Sequence, residues 1–281
     1  MTREFAIIAA GAMGSAVAHR LTEKGGRVLT LLDGRSSSTR RRAEDSGMIA
    51  VDEDRIARAD IVFSIVPPAE ALALAERLVP ALTRSPRKPI FVDCNAISTQ
   101  TVKQVAAIIA PTGAHFVDGA IIGGPPKPGE PGPTFYFSGG PAADLEGLRD
   151  YELTTRTIAS QIGAASALKM SYAGITKGLA AIAAAMVLAA TRAGAAPALR
   201  EELEASQPQL LQRFTKTLPD MYPKAYRWVA EMREIAVFAA EDAAASRVYD
   251  AFADLYERLA ADYRGSRAET QLIEMFLSHP E

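Results

Sequence analysis

The chain is poor in the residues that build disulfide frameworks and metal centres. Its 281 residues include one cysteine and three histidines. The single Cys94 excludes an intrachain disulfide, and three histidines without ligand spacing leave no zinc motif, so no metal is expected. An excess of one charge is also missing: 31 lysines and arginines face 33 acids, a net charge of −2. That balance leaves no basic footprint for nucleic acid. No uninterrupted apolar run reaches the roughly 20 residues a bilayer requires. The longest, Gly178 to Ala190, is bracketed by Lys177 and Arg192 and rich in alanine; it reads as a buried helix. Neither nucleic acid nor a membrane is therefore expected as a partner, and a cytoplasmic location is the default expectation. The composition, 48% hydrophobic and 23% charged, is that of an ordinary globular protein, long enough for one large domain or two ordinary ones.

What the chain does have is a patterned beginning. A short apolar run, Phe5 to Ala10, leads into Gly11-Ala12-Met13-Gly14, then an alternating small and apolar segment from Ser15 to Leu21. A second apolar run, Val28 to Leu32, ends at Asp33. Strand, glycine turn, helix, strand and acid in this order predict a dinucleotide-binding Rossmann unit. Gly11 would let the backbone approach a pyrophosphate, and Gly14 would let the helix pack closely on the strand. The pyrophosphate would sit at the helix N-terminus, where free N–H groups and the helix dipole favour negative charge. Gly11, Ala12, Met13 and Gly14 are thus the expected phosphate-binding residues. The first glycine of the usual pattern is replaced by Ala9. The competing reading is a glycine-tolerant turn without a ligand. A secretory leader is the other reading of Arg3 and the apolar stretch, but the glycines interrupt it and a polar helix follows at once.

The N-terminal half continues to alternate. Strands are expected at 61–66, 90–93, 116–118 and 135–138, with helical spacing at 70–82 and 99–109; a polar stretch fills 34–45. Such alternation predicts a mostly parallel, doubly wound sheet covered on both faces. From Asp144 onward strand-like runs vanish and alanine, leucine and charged residues dominate. Residues 162–195 could form one helix of about 45–50 Å. Further helical stretches cover 201–211, 226–241 and 247–263, with Pro219 and Pro223 marking a break. The expected architecture is a Rossmann domain over 1–160 followed by an all-helical domain over 161–281.

Several residues could carry chemistry. Asp33, at the end of the second strand, suits ribose hydroxyls and NAD, whereas Arg35 and Ser36 suit a 2′-phosphate and NADP. Both are present, and the balance of Arg35 with Ser36, Ser37, Ser38 and Thr39 favours NADP, with NAD the alternative. Val66-Pro67-Pro68 makes a stiff loop at the sheet edge where ligands bind in open α/β folds. Asn95 ends the next strand at the same edge and is a cofactor candidate; for Asn95 and Ser98 the alternative is a helix N-cap. Gly123 and Gly124 would open peptide N–H groups to a substrate, or simply shape a loop. On the long helix Lys169, Tyr172, Ala173 and Thr176 share one face, with Lys177 at its edge. A partly buried lysine has a lowered pKa and can exchange a proton near neutrality; otherwise both lysines snorkel to solvent from a core helix.

Together these residues resemble the β-hydroxyacid dehydrogenase family, which includes 3-hydroxyisobutyrate and 6-phosphogluconate dehydrogenases. The glycine turn corresponds to Ala9–Gly14, and the strand and proline loop to Phe63–Pro67. The family's D-A-P-V-S-G-G segment falls on Asp118–Gly124, and its G-x-x-x-x-x-K-x-x-x-N helix on Gly163 through Lys169 to Ala173. The resemblance implies a 6-phosphogluconate-dehydrogenase-like helical C-terminal domain and makes Lys169 the catalytic lysine. That lysine would donate a proton to a carbonyl oxygen during reduction and recover it during oxidation. Two family residues are changed: its substrate-binding serine is Ile122 and its asparagine is Ala173. These changes imply a different, less polar substrate, or one held by Tyr172, Thr176 and Lys177. The segment Tyr226–Ala236 resembles a poorly characterised phosphogluconate-dehydrogenase-like branch, which makes Glu231, Met232 and Glu234 candidates for contact. Helical second domains of this type usually dimerise, so a homodimer is expected.

The leading expectation is an NAD(P)-dependent oxidoreductase acting on a small hydroxy or carbonyl compound. An imine reductase shares the architecture; Lys169 argues against it and Tyr172 for it. A non-catalytic dinucleotide-binding protein is the third reading.

Overall fold

The computed structural model describes residues 3–278 apart from 128 and 131. The chain divides into two compact units, with the division at 170/171 rather than at 160/161.

The first unit alternates strands and helices: β1 (Glu4–Ile8), α1 (Ala12–Glu23), β2 (Arg27–Thr30), α2 (Ser37–Asp45), β3 (Met48–Ala50), α3 (Glu53–Ile56), β4 (Ile61–Ser64), α4 (Ala71–Arg84), β5 (Ile90–Asp93), α5 (Thr99–Ile109), β6 (His115–Ile122), β7 (Thr134–Ser138) and β8 (Thr154–Ala159). These strands form one sheet in the order β3-β2-β1-β4-β5-β6-β7-β8. Every neighbouring pair is parallel except β6 with β7, which runs antiparallel in the register Asp118↔Ser138 to Ile122↔Thr134. The strand order reverses around β1, which has β2 on one side and β4 on the other. Open parallel sheets hold ligands at the carboxyl edge beside such a switch point.

Side-chain alternation explains why the sheet is buried on both faces. Phe5 and Ile7 enter one apolar cluster with Val17 and Leu21 of α1, while Ala6 and Ile8 enter the opposite cluster with Leu74 and Leu78 of α4. Phe91 and Val92 divide between the same two clusters. Each fully buried side chain of this size contributes roughly 1.5–3 kcal/mol by removal from water. The strands therefore read as unbroken apolar runs rather than alternating ones.

Some elements depart from expectation. The strand expected over 116–118 runs on through Gly119 to Ile122. Strand-like structure does not end at Asp144: β8 follows at the sheet edge, with only Thr155 buried. The polar stretch 34–45 contains α2, capped by Ser36.

The second unit is helical. The long α6 (Ala164–Arg192) begins in the first unit and continues into the second, followed by α7 (Ala196–Ser206), α8 (Pro208–Met221), α9 (Ala225–Phe238), α10 (Ala243–Arg264) and α11 (Ala268–Leu277). Pro219 lies inside α8, so the break falls at the short turn Tyr222–Lys224 around Pro223. Trp228 of α9 packs edge-on against Tyr256 of α10 at 5.3 Å, and the Tyr256 hydroxyl donates to the Lys177 backbone carbonyl on α6. A Cβ on Gly174 would stand 2.9 Å from the Tyr249 hydroxyl, so α6 and α10 approach closely there. By length and composition alone α6 could cross a membrane, and half of its most apolar stretch is buried within the protein.

Candidate active site

The glycine turn opens at the carboxyl end of β1. Gly11 is the N-cap of α1, in an extended conformation, and neither a side-chain cap nor an acid in the first turn occupies the helix N-terminus. A Cβ on Gly11 would meet nothing within 4 Å among the described residues, and Ala12 is exposed and Met13 partly so. At Gly14 a Cβ would overlap the Ala9 carbonyl oxygen and lie 3.3 Å from Ile7 Cγ2. One glycine faces open space and the other is pressed on the strand. An anionic pyrophosphate fits this cradle: the space, the free helix N-terminus and the lack of competing acid all suit it.

Asp33 lies three residues beyond the end of β2, not at it as the sequence suggested, and is exposed; Ser36 caps α2 by accepting the Thr39 N–H at 3.3 Å. Arg35 reaches across to Glu70, Nη2 to Oε2 at 3.4 Å. The residue suited to NAD and the residues suited to NADP thus share one stretch of chain.

The loop after β4 is braced from β5. Asn95 is buried, and its Oδ1 accepts the Val66 N–H at 2.7 Å. Its Nδ2 donates to Ser64 Oγ at 2.8 Å and to Asp93 Oδ2 at 2.9 Å. With both amide hydrogens used in this way, Asn95 fixes the Val66-Pro67-Pro68 loop rather than offering donors to a ligand. Val66 is buried and Pro67 exposed. Ser98 is the N-cap of α5, accepting the Thr101 N–H at 3.1 Å.

Beyond β6, Gly123 has φ +127°, and a Cβ there would sit 2.9 Å from Pro133 Cα; at Gly124 nothing among the described residues lies within 4 Å. The first glycine is required by the backbone and the second borders open space.

Lys169 stands on α6 within the first unit and is partly buried. Burial pushes its ammonium below the usual lysine range, while Cys94 and Asp93 pull it back up. Asp93 is buried at the end of β5, and burial pushes its carboxyl up to about 7 despite hydrogen bonds from Asn95. Burial likewise raises the Cys94 thiol. A Cβ on Gly119 would lie 2.7 Å from Cys94 Sγ, so the neighbouring strand must carry glycine beside the thiol.

A residue absent from the sequence-derived set holds the lysine's helix. Asp118 on β6 is fully buried. Its Oδ2 accepts the N–H groups of Gly163, Ala165 and Ser166 and the Ser138 hydroxyl, at 2.9 to 3.1 Å, and its Oδ1 accepts the Ser166 hydroxyl at 2.7 Å. The carboxylate thus satisfies the orphan donors at the start of α6 and suits the positive end of its dipole. Its signal in the sequence was an acid inside an apolar strand, Phe116-Val117-Asp118.

Farther along α6 the expected polar residues differ in availability. Tyr172 is exposed. The Thr176 hydroxyl donates to the Tyr172 carbonyl at 2.8 Å. Lys177 is ion-paired with Glu231 and lies 5.1 Å from the Trp228 ring centroid. Glu231 is therefore engaged by a lysine of its own unit, and Met232 is fully buried.

A sheet with its switch point at β1 and a glycine cradle at that point, followed in the chain by a helical unit, define a Rossmann-type nucleotide-binding protein. Residues 4–163 match the family described as the NAD binding domain of 6-phosphogluconate dehydrogenase, and residues 190–259 match a domain of unknown function, DUF1932. The chain belongs to this 6-phosphogluconate dehydrogenase NAD-binding family. Among solved structures it is similar to the conserved protein MTH1747, of unknown function and reported as similar to 3-hydroxyacid dehydrogenases: 29% identity, 91% of this chain, 99% of that one, TM-score 0.67. It shares the fold of a 3-hydroxyisobutyrate dehydrogenase from Mycobacterium tuberculosis, at 17% identity, 99% and 100% coverage and TM-score 0.73. It also shares the fold of an imine reductase from Myxococcus stipitatus in complex with NADP+, at 18% identity, 98% and 100% coverage and TM-score 0.55.

Proposed function

We propose that the protein is an NAD(P)-dependent oxidoreductase that interconverts a small hydroxy compound and its carbonyl, with Lys169 as general acid and base. The observation that carries this reading is the placement of Lys169, a partly buried cation on α6 in the unit that bears the glycine cradle, within electrostatic reach of Asp93 and Cys94 and with its pKa lowered by burial. A dinucleotide held there would supply the hydride chemistry at nicotinamide C4. Gly11, Ala12, Met13 and Gly14 hold its pyrophosphate against the α1 N-terminus. Val66, Pro67 and Pro68, braced by Asn95, form the wall beside it. Gly123 and Gly124 give a substrate access to peptide N–H groups. Lys169 Nζ gives a proton to the carbonyl oxygen in reduction and takes it back in oxidation; its lowered pKa brings both forms closer to equal population at neutral pH.

Arg35 and the Ser36 hydroxyl support NADP as the cofactor, and Asp33 supports NAD; NADP is the preferred assignment. The partners are a small-molecule substrate and a second copy of the chain. Imine reduction is the second reading, favoured by the exposed Tyr172 phenol and by the shared fold with an imine reductase. Fluorescence and thermal-shift titration with NADH and NADPH tests the cofactor site, followed by a panel of carbonyl and imine substrates with the better cofactor. Turnover of carbonyls supports the first reading, and turnover of imines alone supports the second. Binding without turnover leaves a non-catalytic nucleotide-binding protein, and binding of neither nucleotide overturns all three.

A further inference from the structure

We propose that Glu70 sets the balance between NADP and NAD by competing with a 2′-phosphate for the guanidinium of Arg35; the inference rests on the dinucleotide site proposed above. The topology places the pair. β2 and β4 flank β1 on opposite sides and run parallel to it, so their carboxyl ends emerge on the edge where Gly11–Gly14 leaves the sheet. Arg35 follows β2, and Glu70 ends the short Pro68–Glu70 turn that follows β4. Their contact at 3.4 Å therefore bridges the two loops that border the glycine turn.

The chemistry around Arg35 is that of a phosphate subsite with one competitor in it. Ser36 Oγ lies 3.0 Å from Ser38 Oγ and 3.1 Å from Thr39 Oγ1, so three hydroxyls gather in the residues that directly follow the arginine. The Arg35 carbonyl accepts from Arg40 Nε at 3.2 Å, which ties a second guanidinium to the same stretch. Guanidinium forks and hydroxyls are the donors that recognise phosphate. The Arg35 and Glu70 side chains are 32% and 46% exposed, so the pair is weak enough for a ligand to replace. NADPH offers Arg35 a doubly charged partner and leaves Glu70 as a like charge beside it. NADH carries a hydroxyl at that position, which asks for no exchange and meets Asp33 instead. Glu70 is thus a repulsive element directed at one of two near-identical ligands, a common way of setting specificity.

The test is nucleotide affinity, read by fluorescence titration of the intact protein. Glu70→Gln keeps the shape and removes the charge; it should tighten NADPH binding about two- to fivefold, the scale of an exposed pair, and leave NADH binding nearly unchanged. Arg35→Ala should weaken NADPH binding selectively, and in that background Glu70→Gln should give no gain. Raising the salt concentration should shrink the difference between wild type and Glu70→Gln. Equal changes for both nucleotides, a gain that persists without Arg35, or no change at all overturns the proposal while leaving the dinucleotide site intact. Failure of the wild-type protein to bind either nucleotide overturns the site itself, and this proposal with it.

Discussion

At the scale of single residues, the proposed chemistry depends on charge held where water is scarce. Lys169→Ala should lower turnover by about 10²-fold or more, the usual size of general acid–base catalysis, with little effect on cofactor affinity. Steady-state kinetics beside nucleotide titration checks both halves, and unchanged turnover removes the lysine from the mechanism. Asp93 makes a prediction about stability. Its carboxyl shifts from 3.8 to about 7 on folding, chiefly through burial. The folded state therefore binds the proton more tightly, and the stability contributed by the neutral form is lost as pH rises from about 4 through about 7. Asp93→Asn removes this dependence. The variant should look worst relative to wild type near pH 4 to 5 and gain on it toward pH 8, measured by denaturant midpoints across that range. A constant gap would show that Asp93 does not titrate there. Lys169 was legible in the sequence as a cation amid alanines. Asp93 was not singled out, because its role arises from contact with Asn95 and from burial, neither of which spacing reveals.

At the scale of elements, two junctions decide where the site residues stand. At the β1–α1 junction, alanine at position 14 gains helix propensity of up to about 1 kcal/mol but must find room where a Cβ overlaps the Ala9 carbonyl. The overlap is with backbone, which cannot swing away, so Gly14→Ala should cost about 1–3 kcal/mol and weaken nucleotide binding. Gly11→Ala, with open space around it, should leave thermal stability nearly unchanged. Melting curves of the two variants separate the roles, and similar losses in both would contradict them. At the β6–α6 junction, Asp118→Asn leaves one acceptor oxygen where there were two, so it can serve either the three backbone N–H groups or the Ser166 hydroxyl but not both. A loss of roughly 1–3 kcal/mol per unmade buried bond should lower both stability and turnover. The glycine turn and the alternation of strands and helices were readable because each carries its own local pattern. The strand β8 was not, because Thr154–Ala159 lies at the sheet edge and buries only Thr155, so no apolar alternation marks it. The break that Pro219 and Pro223 mark lies at Tyr222–Lys224; Pro219 itself is within the last turn of α8, where the helix continues past it to Met221.

At the scale of the whole molecule, the outstanding feature is the unburied side of α6. Tyr172, Ile175, Ile182 and Met186 are 52%, 63%, 49% and 56% exposed, and with the partly buried Leu179 between them they recur at intervals of three and four residues. That spacing puts all five on one stripe of the helix, the pattern of a seam that meets another helix. A contiguous apolar stripe is unfavourable in water and uncommon on monomers. A symmetric pairing, in which the same patch serves both copies, is the commonest way to cover one. Light scattering during size-exclusion chromatography should therefore give about twice the 29.9 kDa mass of the chain. Ile182→Glu puts a charge in the middle of the stripe and should shift the protein toward the single-chain mass, with its circular dichroism retained because the side chain is already half exposed. A wild-type protein that elutes as a single chain would show that the stripe stays bare or serves a different contact. A dimer indifferent to Ile182→Glu would place the interface elsewhere.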